Sequence, residues 1–573
     1  MLTLCQPFNH AVRDKKIADL FLTPFPAISG KLREMTTQSV SHVDPIHWQS
    51  DGRNVPEIQD GNKYLIDGEI REWSGQTNEV QSCLFFHWNG GIVRPSLGHA
   101  PVLDASEALE ALHAAQRAWN NGQGEWPTMT VAARINAVQE FVSRMKAVRD
   151  VVVERIMWEI GKTLPDAQKE FDRTVQYIED TIDALKDLDR KNSGFSVEKG
   201  FLAQIRRSPF GPTLCMGPYN YPLNETFTTL IPAIIMGNPV ISKLPRYGQL
   251  LNTPLLEAFR DSFPRGVVNI INGKGNEIIP PILQEGGVEL LAFIGSSKTA
   301  DQLKTYHPKP HRLKSILSLD AKNLAVVLPD ADMSVTIPQL VAGALGFNGQ
   351  RCTALKILFV HKSRVDEVIE GLSNAIDKMP GGLPWKPGVQ LTPLADPSAT
   401  NWLRGLLDEA VSMGAQIMNP GGGETIENFM KPAIVYPVKP EMRLHEVEQF
   451  GPIIPIRAYE DISEVMDYAT ETQFGQQVSL FGYDPKVLGP LIDAMVNQVS
   501  RVNLNVQCQR GPDTFPFTGR KASAEGTLSV ADALKRFSIR TLVATDYSEA
   551  NRDLINSILA SRSSNFLSTD FMF

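Results

Sequence analysis

Cys352, inside the run GFNGQRCTA, is the side chain whose type and setting best suit covalent chemistry. A cysteine attacks as its thiolate, and a thiolate needs positive charge or free backbone amides close by. Arg351 stands beside Cys352, whereas Cys5, Cys83, Cys215 and Cys508 have no adjacent cation. Taken one at a time, each of the five reads equally well as an inert buried side chain. No histidine lies near Cys352 in sequence to act as a protease-like base. An odd cysteine count, wide spacing and no CxxC argue against a disulfide framework and against a zinc site, so no metal is expected. That usage suits a reducing compartment.

The elements that must position Cys352 follow from the apolar pattern. A polar loop precedes it, and the strand-like LKILFV follows. Residues 105–160 read as helical. Over 165–189 the apolar positions Phe171, Val175, Ile178, Ile182, Leu185 and Leu188 recur at three- and four-residue steps, the mark of a helix with one buried stripe. From residue 212 short apolar runs alternate with helical stretches: PTLCM, PVISK, VVNII, LLAFIG and LAVVLP, the last at 324–329. The run GKGNE at 273–277 is expected to be only a turn. This alternation predicts a parallel, doubly wound α/β sheet of the nucleotide-binding kind. A second α/β region spans about 330–505. RFSIRTLVAT (536–545) forms a last strand, which either completes a sheet or pairs across a subunit boundary.

Composition narrows the function classes. The net charge is 56 − 64 = −8, with no long basic run, which gives no support to a nucleic-acid or anionic-membrane partner. The most apolar stretch, residues 226–241, is too short to span a bilayer and is broken by Pro232, Gly237, Asn238 and Pro239. The N-terminus has no apolar core of a signal peptide. A cytoplasmic protein is expected, with residues 1–55 an extension of unknown purpose.

Three blocks carry a resemblance. GFNGQRCTA resembles the nucleophile motif of the aldehyde dehydrogenase superfamily, residues 209–246 resemble its long cofactor-domain signature, and EQFGPIIPI (448–456) resembles a third block. Their order and spacing match, over roughly residues 60–550. The resemblance implies an aldehyde dehydrogenase-like α/β fold. Its Rossmann-like cofactor domain would take 56–189 and 210–330, its catalytic domain 331–505, and a small oligomerisation element 190–209 and 530–550. It also implies a homo-oligomer, dimer or tetramer. Cys352 would form a thiohemiacetal and then a thioester, with Asn220 and the Cys352 N–H holding the oxyanion. Asn220 also fits as a plain turn residue in GPYNYP. Lys243 would reach the adenosine ribose and phosphate, Gly295 and Ser296 would receive the pyrophosphate at a helix start, Glu448 would hold the nicotinamide ribose, and Phe450 would back the ring. Arg246 stands where relatives preferring NAD often carry a glutamate. It can pair with a 2′-phosphate, so NADP is expected, with NAD possible. An exposed arginine with no ligand is the alternative.

NGQRCTALKILFV, KPEMRLHEVEQFGP and RGPDTFPFTGRK are similar to the non-phosphorylating glyceraldehyde-3-phosphate dehydrogenases within that superfamily. The likeness implies that Arg173, Tyr221, Arg351 and Arg510 bind a phosphorylated aldehyde, although Arg173 also fits the wet face of its helix. One segment departs from the pattern. Where relatives carry LELGGK with a glutamate base, this chain has LSLDAKN, placing Ser318 at the base position. A serine is a poor base at neutral pH. Asp320, two residues along and on the same face of an extended chain, is the expected substitute. Thiolysis by CoA, as in acylating semialdehyde dehydrogenases, and a catalytically silent ligand-binding protein are the alternatives.

Overall fold

The computed structural model describes Trp48, residues 53–88 and residues 91–569. The expected extension 1–55 lies almost wholly outside the described residues. Two sheets dominate. In the first, five parallel strands stand in the order Val268–Ile271, Val240–Lys243, Thr213–Met216, Leu290–Ile294, Lys314–Ser318. Each is short, and the three strands Val268–Ile271, Thr213–Met216 and Leu290–Ile294 are buried throughout, as a strand covered on both faces must be, whereas Lys314–Ser318 opens to solvent at Lys314. The chain runs outward from Thr213–Met216 on one side, then returns to build the other. The strand order therefore reverses between Thr213–Met216 and Leu290–Ile294, and a crevice opens beyond their carboxyl ends.

Antiparallel strands flank this core: Lys63–Ile66 and Glu69–Glu72 at one edge, Ala524–Glu525 at the other. The sheet is thus mixed. It also takes in a strand from beyond the second α/β region, outside the 56–189 and 210–330 expected for the cofactor domain. The second sheet has seven strands. Leu324–Val327 lies near its centre, between Ile357–His361 and Gln477–Phe481. LAVVLP therefore does not continue the first sheet, and the second sheet begins before residue 330. Periodicity cannot tell which sheet a buried apolar strand will join.

The helices follow the apolar pattern closely. Leu164–Asn192 buries Phe171, Val175, Ile178, Ile182 and Leu185 and is capped by Thr163. The 105–160 region divides into Ala105–Trp119, Val131–Ala147 and Arg149–Ile160, with a short turn of helix between the first two. GKGNE is more than a turn, because the helix Gly275–Gln284 starts within it. The last strand, Ser538–Asp546, pairs antiparallel with Phe201–Pro209 along its whole length, in a small three-stranded sheet where it is outermost. Among the described residues no helix is long and apolar enough to cross a membrane.

Candidate active site

Cys352 follows a tight turn, Gly346–Gly349, in which Phe347, Asn348 and Gly349 all have positive φ. A Cβ on Gly349 would lie 2.4 Å from the carbonyl oxygen of Gly451, so only glycine fits there. The loop is clamped from several directions. Asn348 exchanges hydrogen bonds with Thr392, its amide donating to the Thr392 carbonyl and its Oδ1 accepting from the Thr392 N–H. Asn323 Nδ2 donates to the carbonyls of Cys352 (2.7 Å) and Ala354 (3.1 Å), while its Oδ1 accepts from Gln477 N–H. Lys356 Nζ, buried, donates to the carbonyls of Gly349 and Gln449. Backbone polar groups that would otherwise go unpaired are thereby fixed, and Cys352 is held at a defined point.

Two cavities meet at that point. One, of about 500 Å³, is lined by Asn220, Tyr221, Arg173, Arg351, Arg510 and Glu225 among others. The other, of about 600 Å³, lies over the crevice of the first sheet. It is lined by Lys243, Arg246, Gly295, Ser296, Ser318, Asp320, Glu448 and Phe450. Cys352, Pro218 and Ile294 line both. Every residue singled out from the sequence thus lies on one of two adjoining cavities.

The electrostatics differ from expectation. Arg351 does not activate the thiol: its Nη2 donates to the carbonyls of Ala342 and Gly343, both at 2.8 Å. The Cys352 thiol is pushed up to about 11, first by burial and then by the Glu225 carboxylate, against the pull of Arg510 and Lys356. The arginines of the first cavity are already partnered. Arg173 makes a two-pronged contact with Asp513 at 2.7 and 2.8 Å, and Arg510 pairs with Glu225 and with Asp513. They are not the free guanidinium groups that a phosphate site suggested. Tyr221 has the buried Lys162 ammonium 3.2 Å above its ring, and Lys162 pairs with Glu170. Asn220 Nδ2 donates to the Gln350 carbonyl at 2.8 Å, and Asn220 lines the same cavity as Cys352.

On the other side, Lys243 is a cation without a hydrogen-bond or ion-pair partner among the described residues, and burial lowers its ammonium to about 8. Arg246 is exposed and lies over the Tyr247 ring, 5.2 Å from its centre. Ser296 caps the helix Ser297–Tyr306 through Thr299 N–H. Asp320 and Ser318 line the same cavity, as their shared face predicted. Asp320 Oδ2 is engaged, however, accepting from Ser297 N–H and Ser297 Oγ at 2.7 Å each. The expected substitute base is therefore also a cap on that helix. Glu448 sits 3.8 Å from Lys356 Nζ, and its Oε1 has no hydrogen-bond partner. Burial raises its carboxyl above the ordinary 4.5, with Asp320 adding to the rise.

Several residues that matter here escaped the sequence reading. Asn323 and Asp513 stood inside quoted motifs, LSLDAKN and RGPD, where their types could have suggested roles. Glu225 and Lys356 also stood inside quoted blocks, but their charged partners Arg510 and Glu448 are distant in sequence, and Lys162, eight residues before Glu170, lay outside any motif.

A model of the aldehyde dehydrogenase family matches residues 93–543. NADP-dependent glyceraldehyde-3-phosphate dehydrogenase of Streptococcus equinus is 29% identical over 439 residues, covering 76% of this chain and 90% of that protein. Malonate-semialdehyde dehydrogenase 1 of Bacillus licheniformis is 25% identical over 468 residues, covering 81% and 93%. Among solved structures, NADP-dependent glyceraldehyde-3-phosphate dehydrogenase from Bacillus halodurans C-125 complexed with NADP superposes with a TM-score of 0.77 at 26% identity, over 85% of this chain and 100% of that one. With the match covering most of the chain and both cavities, the chain belongs to the aldehyde dehydrogenase family.

Proposed function

We propose that the protein oxidises an anionic aldehyde, D-glyceraldehyde 3-phosphate foremost, to the carboxylic acid with NADP as acceptor. The observation that carries this reading is the placing of Cys352 where an arginine-lined cavity meets a cavity holding Lys243 and Arg246. The names of the relatives agree with it. The second cavity fits a dinucleotide phosphate: among the described residues it offers a lysine with no partner for a phosphate and a buried carboxylate oxygen with none for ribose hydroxyls.

Cys352 Sγ adds to the carbonyl carbon, and its proton leaves to solvent. The new oxyanion accepts from Asn220 Nδ2 and from the Cys352 N–H. Bound NADP supplies a hydride acceptor for the thiohemiacetal, which leaves a thioester on Cys352. Asp320, whose Oδ1 has no partner among the described residues, takes a proton from water as the water attacks the thioester. The acid departs and the thiol is restored.

One observation favours a second reading. Asp320 is tied to Ser297, and a thiol such as CoA needs less help from a base than water does. Stopped-flow measurement of NADPH formation with glyceraldehyde 3-phosphate separates the two. Sustained turnover without CoA, reduced to a single burst in Asp320→Asn, is the expected result. A burst that continues only when CoA is present establishes the acylating reaction instead. No burst under either condition overturns the substrate assignment.

A further inference from the structure

Lys162 and Glu170 form an ion pair that is almost wholly buried, 1% and 2% exposed, beside the cavity that Asn220 and Cys352 share. We infer that the two are positioning residues for the reaction: together they hold Asn220 in register with Cys352, so that the amide meets the developing oxyanion. Their role rests on the oxyanion role proposed above for Asn220.

Glu170 grips one end of the loop that carries Asn220. Its Oε2 accepts from Lys162 Nζ, while its Oε1 accepts from the N–H groups of Leu223 and Asn224 at 3.1 and 3.2 Å. These amides open the helix Asn224–Ile235, whose first turn has no capping side chain of its own. Glu170, carried by the helix Leu164–Asn192, supplies from outside the anion that a helix start favours. Lys162 grips the other side. Its Nζ lies 3.2 Å from the centre of the Tyr221 ring and 4.7 Å from that of the Phe347 ring. Tyr221 adjoins Asn220 in the chain, and Phe347 belongs to the tight turn before Cys352. The two rings meet edge to face with their centres 6.0 Å apart. One ammonium therefore draws the loop of the oxyanion donor onto the turn of the nucleophile. The bond from Asn220 Nδ2 to the Gln350 carbonyl completes the link. It uses one hydrogen of the amide, and the other has no acceptor among the described residues.

A buried ion pair adds little stability over apolar side chains of the same size, so stability alone does not account for this one. Two apolar side chains could fill the volume. They could neither accept from two helix amides nor attract two rings at once.

Two reactions of Cys352 are compared in the full chain, and neither needs NADP or an aldehyde. Acylation by 4-nitrophenyl acetate passes through an oxyanion: Sγ bonds to the acyl carbon, the bond to the aryl oxygen breaks, and nitrophenolate leaves with the electron pair while the thiol proton goes to solvent. Alkylation by iodoacetamide forms no oxyanion. Lys162→Met combined with Glu170→Gln removes both charges together, leaving no lone buried ion and keeping an acceptor for the two amides. With the Cys352→Ala background subtracted, acylation should fall about tenfold or more in this double variant, while alkylation stays within about twofold. Phe347→Leu, which keeps the ion pair, should also lower acylation more than alkylation, and it serves if the double variant does not fold. Asn220→Ala should lower acylation in the wild-type background but add little in the double variant, because all three changes act through one amide. Parallel loss of both reactions, as general damage to the fold would give, overturns the inference, and so does unchanged acylation. Loss in Asn220→Ala without loss in the ion-pair variant overturns the inference alone and leaves the oxyanion role standing. Acylation that survives Asn220→Ala removes the oxyanion role and the inference with it.

Discussion

A thiol that titrates near 11 is a slow nucleophile at neutral pH, and Cys352 owes that value to burial and to Glu225. Replacing Glu225 with Gln removes a negative charge from the thiol's surroundings. Lowering the thiol by about one unit gives about tenfold more thiolate, and iodoacetamide labelling of Cys352 at pH 8 should quicken to match. The same variant frees Arg510 for substrate, so KM for glyceraldehyde 3-phosphate should fall. An unchanged labelling rate would show that Glu225 does not control the thiol. Buried Cys83 and Cys508, pushed higher still, should label more slowly than Cys352 throughout.

The cofactor residues give a pH signature of their own. Lys243 is charged below about 8, and in the proposed function that charge meets a phosphate of NADP. The kcat/KM for NADP should therefore decline as pH rises through about 8, and Lys243→Arg should shift that decline to higher pH. Arg246→Glu should cost about 10- to 100-fold in kcat/KM for NADP with little change for NAD, the size expected when a repulsion replaces one charge-assisted hydrogen bond. Equal losses for both cofactors would remove Arg246 from 2′-phosphate recognition.

At the scale of elements, Cys352 is set by a turn whose backbone departs from common conformations. Gly349 has φ +73° and no room for a Cβ. Gly349→Ala should destabilise the protein by about 2 kcal/mol or more in chemical denaturation, with labelling of Cys352 altered as the loop shifts. A variant as stable as wild type would mean the Gly451 backbone yields easily. The clamp also explains why Asn323 stands where it does. One side chain joins the carbonyl of Cys352 to the strand Gln477–Phe481 of the second sheet.

For the whole molecule, the small sheet of Phe201–Pro209 and Ser538–Asp546 carries Phe201, Ile539 and Leu542 at about half exposure each, with Val197 close by. Strand alternation puts Phe201 and Leu542 on one face and Ile539 and Val197 on the other, and exposed apolar side chains on a sheet with an open edge suit a subunit contact. We expect Leu542→Asp to lower the mass seen in sedimentation, and an unchanged mass would place the contact elsewhere.

The sequence by itself determined a good deal. Short-range periodicity marked the long helix and the apolar strands, because burying one stripe or both faces leaves a local trace. The motif around Cys352 and the run holding Lys243 and Arg246 named residues that do converge on two adjoining cavities. Only the tertiary structure decided which sheet receives Leu324–Val327 and that Ala524–Glu525 returns to the first. Only it showed that Arg351 turns away from the thiol, that Asp320 caps a helix, and that Arg173 and Arg510 are already paired. The physical reason is range. Helix and strand patterns depend on neighbours a few residues away, whereas the charge felt by a side chain depends on whichever groups folding brings within a few ångströms, as with Arg510 and Glu225, 285 residues apart.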